Sequence, residues 1–389
     1  MNILHLVFNL PGKGTYWRSY YLARELARRG HRVTILHTAA NERRRFGLQL
    51  EEQGRLALVS APDLLRGNMR AGWDPWAVLA RLLWMRQPSY DVVHAFECRP
   101  GVLFPALLAK RHAPLVIDWC DWFGRGGSLE ERQSTLIKAV LGIPETFFEE
   151  RFRVFADATT TINQVLADRA AALGVPRQSI HHFPNGCDLD DWPDEPRHSG
   201  RAALGIAADT PVIGYVGAVF HRDAELMAAA FNLLQAQLPQ AKFLVMGYCN
   251  VDFRELVADP QAVIQTGPLP TTELRRGLRT SDVAWVPLSD TGANRGRWPL
   301  KISTYMEAGL PFVTTHIGDL GQFVSQYPVG VAVAPEPAAI ARASHELLQN
   351  RAYAEQLGAH GAYVARHELS WPRVTDGVER IYQHLLSAK

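Results

Sequence analysis

The first forty residues restrict this chain to one kind of sheet. An apolar run over residues 3–9 leads into a glycine-bearing loop at 11–15. An amphipathic stretch over 17–29 follows, with Leu22, Leu26 and the Tyr20–Tyr21 pair on one face, and Gly30-His31 ends it. Residues 32–38 then read as a second strand. Strand, loop, helix and strand in so short a span predict a right-handed βαβ crossover and hence a parallel sheet. Further strands are expected at 91–96, 115–119, 159–162 and 180–184.

The pattern restarts in the second half. A strand at 212–216, a helix over about 224–238 and strands at 242–247, 263–267 and 283–286 precede a helix and strand at 299–315. A strand near 331–333 and helices over 337–349, 351–366 and 371–386 complete it. Between the halves, NGCDLDDWPDEPRHSG (185–200) is polar and turn-rich and reads as a linker. A chain of 389 residues has room for two such α/β halves, and the strand order predicts a ligand at the carboxyl ends of the strands, in a cleft.

Composition narrows the function. With 47% hydrophobic and 21% charged residues the chain is an ordinary globular protein. A formal net charge of +2 argues against a dedicated nucleic-acid binder. The charge is uneven, however. Residues 1–90 hold 14 Lys and Arg against 6 Asp and Glu, a net of +8 that leaves about −6 on the rest. That segment suits an anionic membrane face as well as it suits solvated helix surfaces. Cys98, Cys120, Cys187 and Cys249 are scattered without a CxxC pair, which fits reduced thiols in a cytoplasmic protein. The N-terminus lacks the basic start of a signal peptide, and no run of 18 apolar residues occurs.

The densest chemistry lies in PLKISTYMEAGLPFVTT (299–315). Pro299 suits a helix start, Lys301 falls in the first turn, Gly309 closes the helix and Pro311 prevents its return. Backbone N–H groups, helix dipole and ammonium together favour an anion, most naturally a phosphate. The preceding loop brings Asn294, Arg295 and Arg297 toward the same helix. In VIGYVGAVFHRDAEL (212–226) a strand ends on Gly217 and Arg222 stands just ahead of the next helix.

Other motifs are excluded or weaker. LPGKGTYWRS (10–19) lacks the Walker spacing and, with Trp17 in place of a third glycine, also fails the dinucleotide fingerprint. The second strand ends on His37-Thr38 with no acidic residue for a ribose, which weighs against a nicotinamide dehydrogenase. In VIDWCDWFGRGG (116–127), Asp118 and Asp121 stand at a strand end, and Asp121 is favoured as the carboxylate that faces the cleft. Asp188–Asp190 is the one D-x-D, but it sits in the polar linker, so no metal site is expected. GWDPWAVLARLLWMRQP (72–88) reads either as a core helix or as an amphipathic helix at a membrane surface.

Taken together these segments, with GHRVTILHT, YDVVHAF, FADATTTINQVLADRAAALGVP, the PNG turn and the terminal SWPRVTDGVERIYQHLL, resemble the GT-B fold glycosyltransferases. The likeness is to the large family-4 type, the retaining family that includes sucrose and mannosyl transferases. It implies two Rossmann-like doubly wound parallel-sheet domains facing across a cleft. Residues 1–195 would form the acceptor side, 196–370 the donor side, and 371–389 a helix returning to the first domain. Arg222 and Lys301 would stabilise the departing diphosphate of a nucleotide-diphosphate sugar, the co-substrate, with no cofactor and no metal. The leaving phosphate would relay the acceptor's proton. Gly12, Lys13 and Gly14 would face donor phosphates or acceptor, with Gly217 on the donor loop. Backbone near Gly247, Pro268 and Leu269 would read the base.

The resemblance has one gap. The family's two glutamates, eight residues apart, fall on Gly296 and Thr304. A threonine hydroxyl lacks charge assistance and should bind ribose roughly half as strongly. Glu307, three residues on, is its neighbour on the helix surface. A hydroxyl acceptor, lipid-linked or oligosaccharide, is expected, with the protein in the cytoplasm at the inner membrane face. A nucleotide-sugar 2-epimerase and a non-catalytic partner of the same fold are the alternatives.

Overall fold

The computed structural model describes residues 1–388 apart from 42, 87–88, 133, 191 and 193–199. The chain forms two compact units. Met1–Asn185, Gly296–Trp298 and Trp371–Lys389 make the first, and Gly186–Arg295 and Pro299–Ser370 the second. The boundary drawn from sequence after residue 195, and most of the polar end of the 185–200 linker, lie outside the described residues. The described chain changes unit after Asn185.

The first unit runs β1 (Asn2–Leu6), α1 (Tyr16–Arg28), β2 (Arg32–Thr38), β3 (Gly47–Glu51), β4 (Leu56–Ala61), α2 (Pro75–Trp84), β5 (Val92–Phe96), α3 (Pro100–Ala109), β6 (Leu115–Trp119), α4 (Thr135–Arg151), β7 (Ala158–Thr161), α5 (Gln164–Ala172) and β8 (Ile180–His182). Its sheet has the order β3-β4-β2-β1-β5-β6-β7-β8. All neighbours are parallel except β3 and β4. Every residue of β5 and β6 is buried, as expected of strands covered on both faces. The antiparallel pair β3–β4 has no counterpart in the strands predicted above, and Leu48 and Leu50 of β3 point to solvent.

The second unit runs β9 (Val212–Val216), α6 (His221–Gln237), β10 (Lys242–Met246), β11 (Val263–Gln265), α7 (Thr271–Leu278), β12 (Val283–Val286), α8 (Gly292–Arg295), α9 (Leu300–Glu307), β13 (Phe312–Thr315), α10 (Leu320–Gln326), β14 (Gly330–Val333), α11 (Pro337–Gln349) and α12 (Arg351–His367). Its sheet, β11-β10-β9-β12-β13-β14, is parallel throughout. Phe231, Phe243, Phe253 and Trp285 fill the core between the sheet and α6 with α11.

The last helix, α13 (Trp371–Ser387), belongs to the first unit. Glu379 takes hydrogen bonds from Arg29 at 2.8 Å and faces the His31 ring at 2.8 Å. Buried Tyr382 lies 2.6 Å from His94 Nδ1.

Helix α2 buries an arginine on its inner face. Asp74 caps it by accepting from Trp76 and Ala77 N–H, and Ala77, Ala80 and Arg81 face inward. Arg81 is not on the polar surface. It is 1% exposed and donates to the carbonyls of Val7 and Gly101. Trp76, Leu79 and Leu83 are the exposed side chains instead.

Candidate active site

The second unit gathers the candidate anion-binding residues at the carboxyl ends of its strands. β9, β10 and β11 are each followed closely by a glycine with positive φ: Gly217 at 83°, Gly247 at 78° and Gly267 at 69°. That conformation needs no Cβ, and it turns the chain sharply out of the sheet. Beyond Gly217 the chain enters α6, whose first turn carries Arg222. Arg222 is exposed, and no hydrogen bond or ion pair joins it to another described residue. Pro268 is exposed and Leu269 partly so, on the short turn after β11.

Helix α9 brings the second cation to this loop. Pro299 stands one residue earlier than the sequence suggests, as the N-cap. At the other end Gly309 takes φ 63°, its N–H bonds Met306 O at 3.0 Å, and Leu310 N–H reaches Tyr305 O at 2.9 Å. These two bonds close a Schellman motif. The helix therefore holds Lys301 rigidly in its first turn. The ammonium donates to the Tyr215 hydroxyl and to Ala218 O at 3.1 Å, and lies 3.8 Å from the Tyr215 ring centre. Lys301 and the Gly217 loop, 84 residues apart in sequence, thus meet. Tyr215 was not among the residues singled out from sequence, since an aromatic in a buried strand reads as core.

The neighbours of α9 depart from the sequence expectation. Asn294 is 1% exposed, and its amide donates to Asp223 Oδ1 at 2.8 Å and Ser289 O at 2.8 Å. Asp223 also accepts from Ser289 N–H and hydroxyl. Asn294 therefore locks the loop before α9 to the start of α6 through its Nδ2 group. Arg295 pairs with Asp290 at 2.7 Å. Arg297 belongs to the first unit, where Asn163 and Asn185 donate to the carbonyls of Arg297 and Trp298. The cluster of three cations at one helix end thus resolves into Lys301 and, across the loop, Arg222.

The ribose end is also redistributed. Thr304 donates back to Leu300 O at 3.3 Å. Glu307 accepts Asp188 N–H at 2.6 Å, and burial pushes its carboxyl up to about 8. Asp188 in turn pairs with Arg275 at 3.2 Å. Glu307 is thereby committed to the chain after the PNG turn, and among the described residues no His, Cys, Asp and Glu group is disposed to hold a metal.

In the first unit, Gly12 (φ 79°) and Gly14 (φ 54°) shape the loop after β1, and Lys13 is exposed on it. A Cβ on Gly14 would lie 2.8 Å from the Asn9 amide. Asp118 and Asp121 separate cleanly. Asp118 is fully buried and paired with Arg18 at 2.7 Å. Asp121 is partly exposed, and no partner for its carboxyl is seen among the described residues. Burial raises it to about 7, and Glu149 adds to the shift while Arg297 and Arg99 oppose it.

Glu97 holds Asp121 in place, and sequence reasoning missed it. Its carboxylate accepts from the N–H groups of Cys120 at 2.6 Å and Asp121 at 3.1 Å, and it pairs with Arg153 at 2.9 Å. Glu97 adopts φ 74°, a strained conformation for a side chain with a Cβ. No spacing in the sequence signals it.

A two-unit α/β chain with a lysine and an arginine on helices that flank the loop after a glycine-ended strand, and a raised carboxyl at a strand end of the other unit, has the parts of a group-transfer enzyme acting on anionic donors. Two family models cover most of it: the "Glycosyl transferase 4-like domain" over residues 13–186 and "Glycosyl transferases group 1" over 210–350. The chain belongs to the GT-B glycosyltransferases of the family-4 type, and it is a transferase enzyme.

It is 26% identical over 324 residues to D-inositol 3-phosphate glycosyltransferase 1 of Catenulispora acidiphila, covering 77% of this chain and 73% of that protein. Among solved structures, sucrose-phosphate synthase of Thermosynechococcus elongatus superposes over all of both chains with a TM-score of 0.78 at 17% identity. HepE of Anabaena, solved in complex with UDP-glucose, gives 0.69 at 14% identity, covering 99% of this chain and all of that one. These two show the two Rossmann-like domains of the GT-B fold.

Proposed function

We propose that the enzyme moves a sugar, with retention, from a nucleotide-diphosphate sugar to a hydroxyl acceptor in glycan or glycoconjugate assembly. The observation that carries this reading is Lys301 meeting the Gly217–Ala218 loop beside the exposed Arg222. When the glycosidic bond to the donor breaks, negative charge grows on the leaving diphosphate, and the held Lys301, the exposed Arg222 and the first turn of α6 would stabilise it more than the ground state. The leaving phosphate oxygen would take the acceptor's proton. Asp121, raised and accessible, would receive a hydroxyl of the sugar or acceptor. The one D-x-D motif is engaged by Arg275, which favours the metal-free reading.

A UDP-sugar donor is favoured by the HepE complexes with UDP and UDP-glucose. A lipid-linked acceptor is favoured by the outward faces of α2 and α4. Leu136, Val140, Ile143 and Phe147 lie at helical spacing on α4, and Ile143 is 75% exposed. Arg66 and Arg86 are exposed on the same unit as these faces. That combination suits an anionic bilayer at the cytoplasmic side.

A thermal-shift panel with UDP, GDP and dTDP is the first test. A shift with one nucleotide at millimolar concentration supports the donor site and identifies the base. No shift with any of the three overturns it.

A further inference from the structure

The first unit holds a cavity of about 500 Å3 beside the Gly12 loop, and apart from Gly12 none of its lining residues has a role above. That volume is within the usual range of small-molecule sites, ~300–1,000 Å3. One wall is aromatic. Tyr16 and Tyr20 stack with ring centres 5.8 Å apart, and Trp17 meets Tyr20 edge to face at 6.1 Å. The indole is pinned, since its N–H donates to Gly12 O at 2.9 Å. The wall is therefore preformed and is joined to the loop that the transfer reaction would use.

The polar side of the cavity has one sign. Glu51 accepts from the Tyr20 hydroxyl and from the Gln49 amide, both at 2.8 Å. His37 is 5% exposed, and its Nδ1 lies 2.9 Å from Thr38 O. A carbonyl can only accept, so Nδ1 carries the proton and Nε2 presents a lone pair. No donor to Nε2 is found among the described residues. Burial, reinforced by Arg81, lowers His37 to about 4, so the ring is neutral near pH 7.

Among the described residues no lysine or arginine lines the cavity. One carboxylate and a neutral imidazole acceptor would repel a phosphate, and the hydrogen-bonding groups disfavour a lipid tail. What fits is an uncharged molecule with an apolar face and several hydroxyl donors. A sugar ring has both.

We propose that this cavity is a glycan subsite. It holds an uncharged sugar residue of the acceptor, with the ring face on the Tyr16, Trp17 and Tyr20 wall and hydroxyls donated to His37 Nε2 and Glu51. The inference rests on the transferase reading above for its link to an acceptor.

Saturation-transfer NMR tests it on the full chain, with methyl α-glucoside, methyl α-mannoside, maltose and chitobiose as neutral probes. Inorganic pyrophosphate and myo-inositol 1-phosphate are the anionic ones. Wild type should transfer saturation to ring protons of at least one neutral saccharide. His37→Phe keeps the ring packing and should weaken that binding about tenfold, the size of one lost hydrogen bond. Gln49→Ala, on an exposed strand position, should weaken it without any cost to folding.

The UDP thermal shift, read in parallel, should be unchanged in both variants. The subsite is overturned if no neutral saccharide binds at high millimolar concentration, if pyrophosphate or inositol phosphate displaces the saccharide, or if both variants bind it as wild type does. A chain that binds saccharide but shifts with no nucleotide supports the subsite and fails the donor reading instead.

Discussion

At the residue scale the enzyme depends on few side chains, and each owes its value to what fixes it. Lys301 is positioned by α9 and by Tyr215, so its loss should register in turnover and leave stability nearly untouched. Lys301→Ala should lower kcat/KM by about tenfold or more, since a charge-assisted contact is worth ~1.5–3 kcal/mol. Steady-state kinetics and a melting curve on the same sample check this, and a change within about threefold would remove Lys301 from its central role. Asp121 predicts a pH profile. With its carboxyl raised to about 7, it is protonated below that pH and an acceptor above it. If the ionised form receives a hydroxyl, kcat/KM falls as pH drops below about 7. Asp121→Asn should flatten that limb and cost on the order of 10²-fold in rate.

Element-scale packing decides how well α9 can present Lys301. A Cβ on Gly358 of α12 would sit 2.2 Å from Gly309 O, at the end of α9. Gly358→Ala should therefore displace α9 and cost ~1–3 kcal/mol or more. A lowered urea midpoint together with a weaker nucleotide shift would show it, whereas an unchanged shift would separate α9 from the donor site. The outward face of α4 makes a different prediction. Val140→Glu with Ile143→Glu should abolish sedimentation with anionic vesicles while leaving the melting temperature unchanged, because both side chains already face solvent. Equal sedimentation of wild type and variant would end the case for a bilayer contact at α4.

On the scale of the whole molecule, the chain's end completes the first unit. Tyr382 brings its hydroxyl to His94 in a buried network that also includes His5, Arg18 and Asp118. Burial drives both histidines well below their ordinary range, so the network is neutral at those rings. Tyr382→Phe leaves His94 Nδ1 without its partner and should cost ~1–3 kcal/mol in urea unfolding. The UDP-induced shift should persist, since Arg222, Lys301 and the Gly217 loop belong to the second unit.

Much of this was written in local pattern. The βαβ periodicity, β2, β6, β9, β12, β13 and α11 can be read from apolar runs and punctuating glycines, because each depends on a few adjacent residues. Lys301 at a helix start and Arg222 after a glycine-ended strand are legible as positions for the same reason, whereas the burial of Asp118 against Arg18 is not. Tertiary structure alone decided which polar groups are spent internally. It committed Asn294 to Asp223, Glu307 to Asp188 N–H, and Arg81 to two carbonyls in the core. It also made Glu97, a plain acidic residue in sequence, the clamp on Asp121, and gathered Tyr16, His37 and Glu51 around one cavity. A buried polar group must find its partner wherever the fold supplies one, and that partner can lie at any sequence separation.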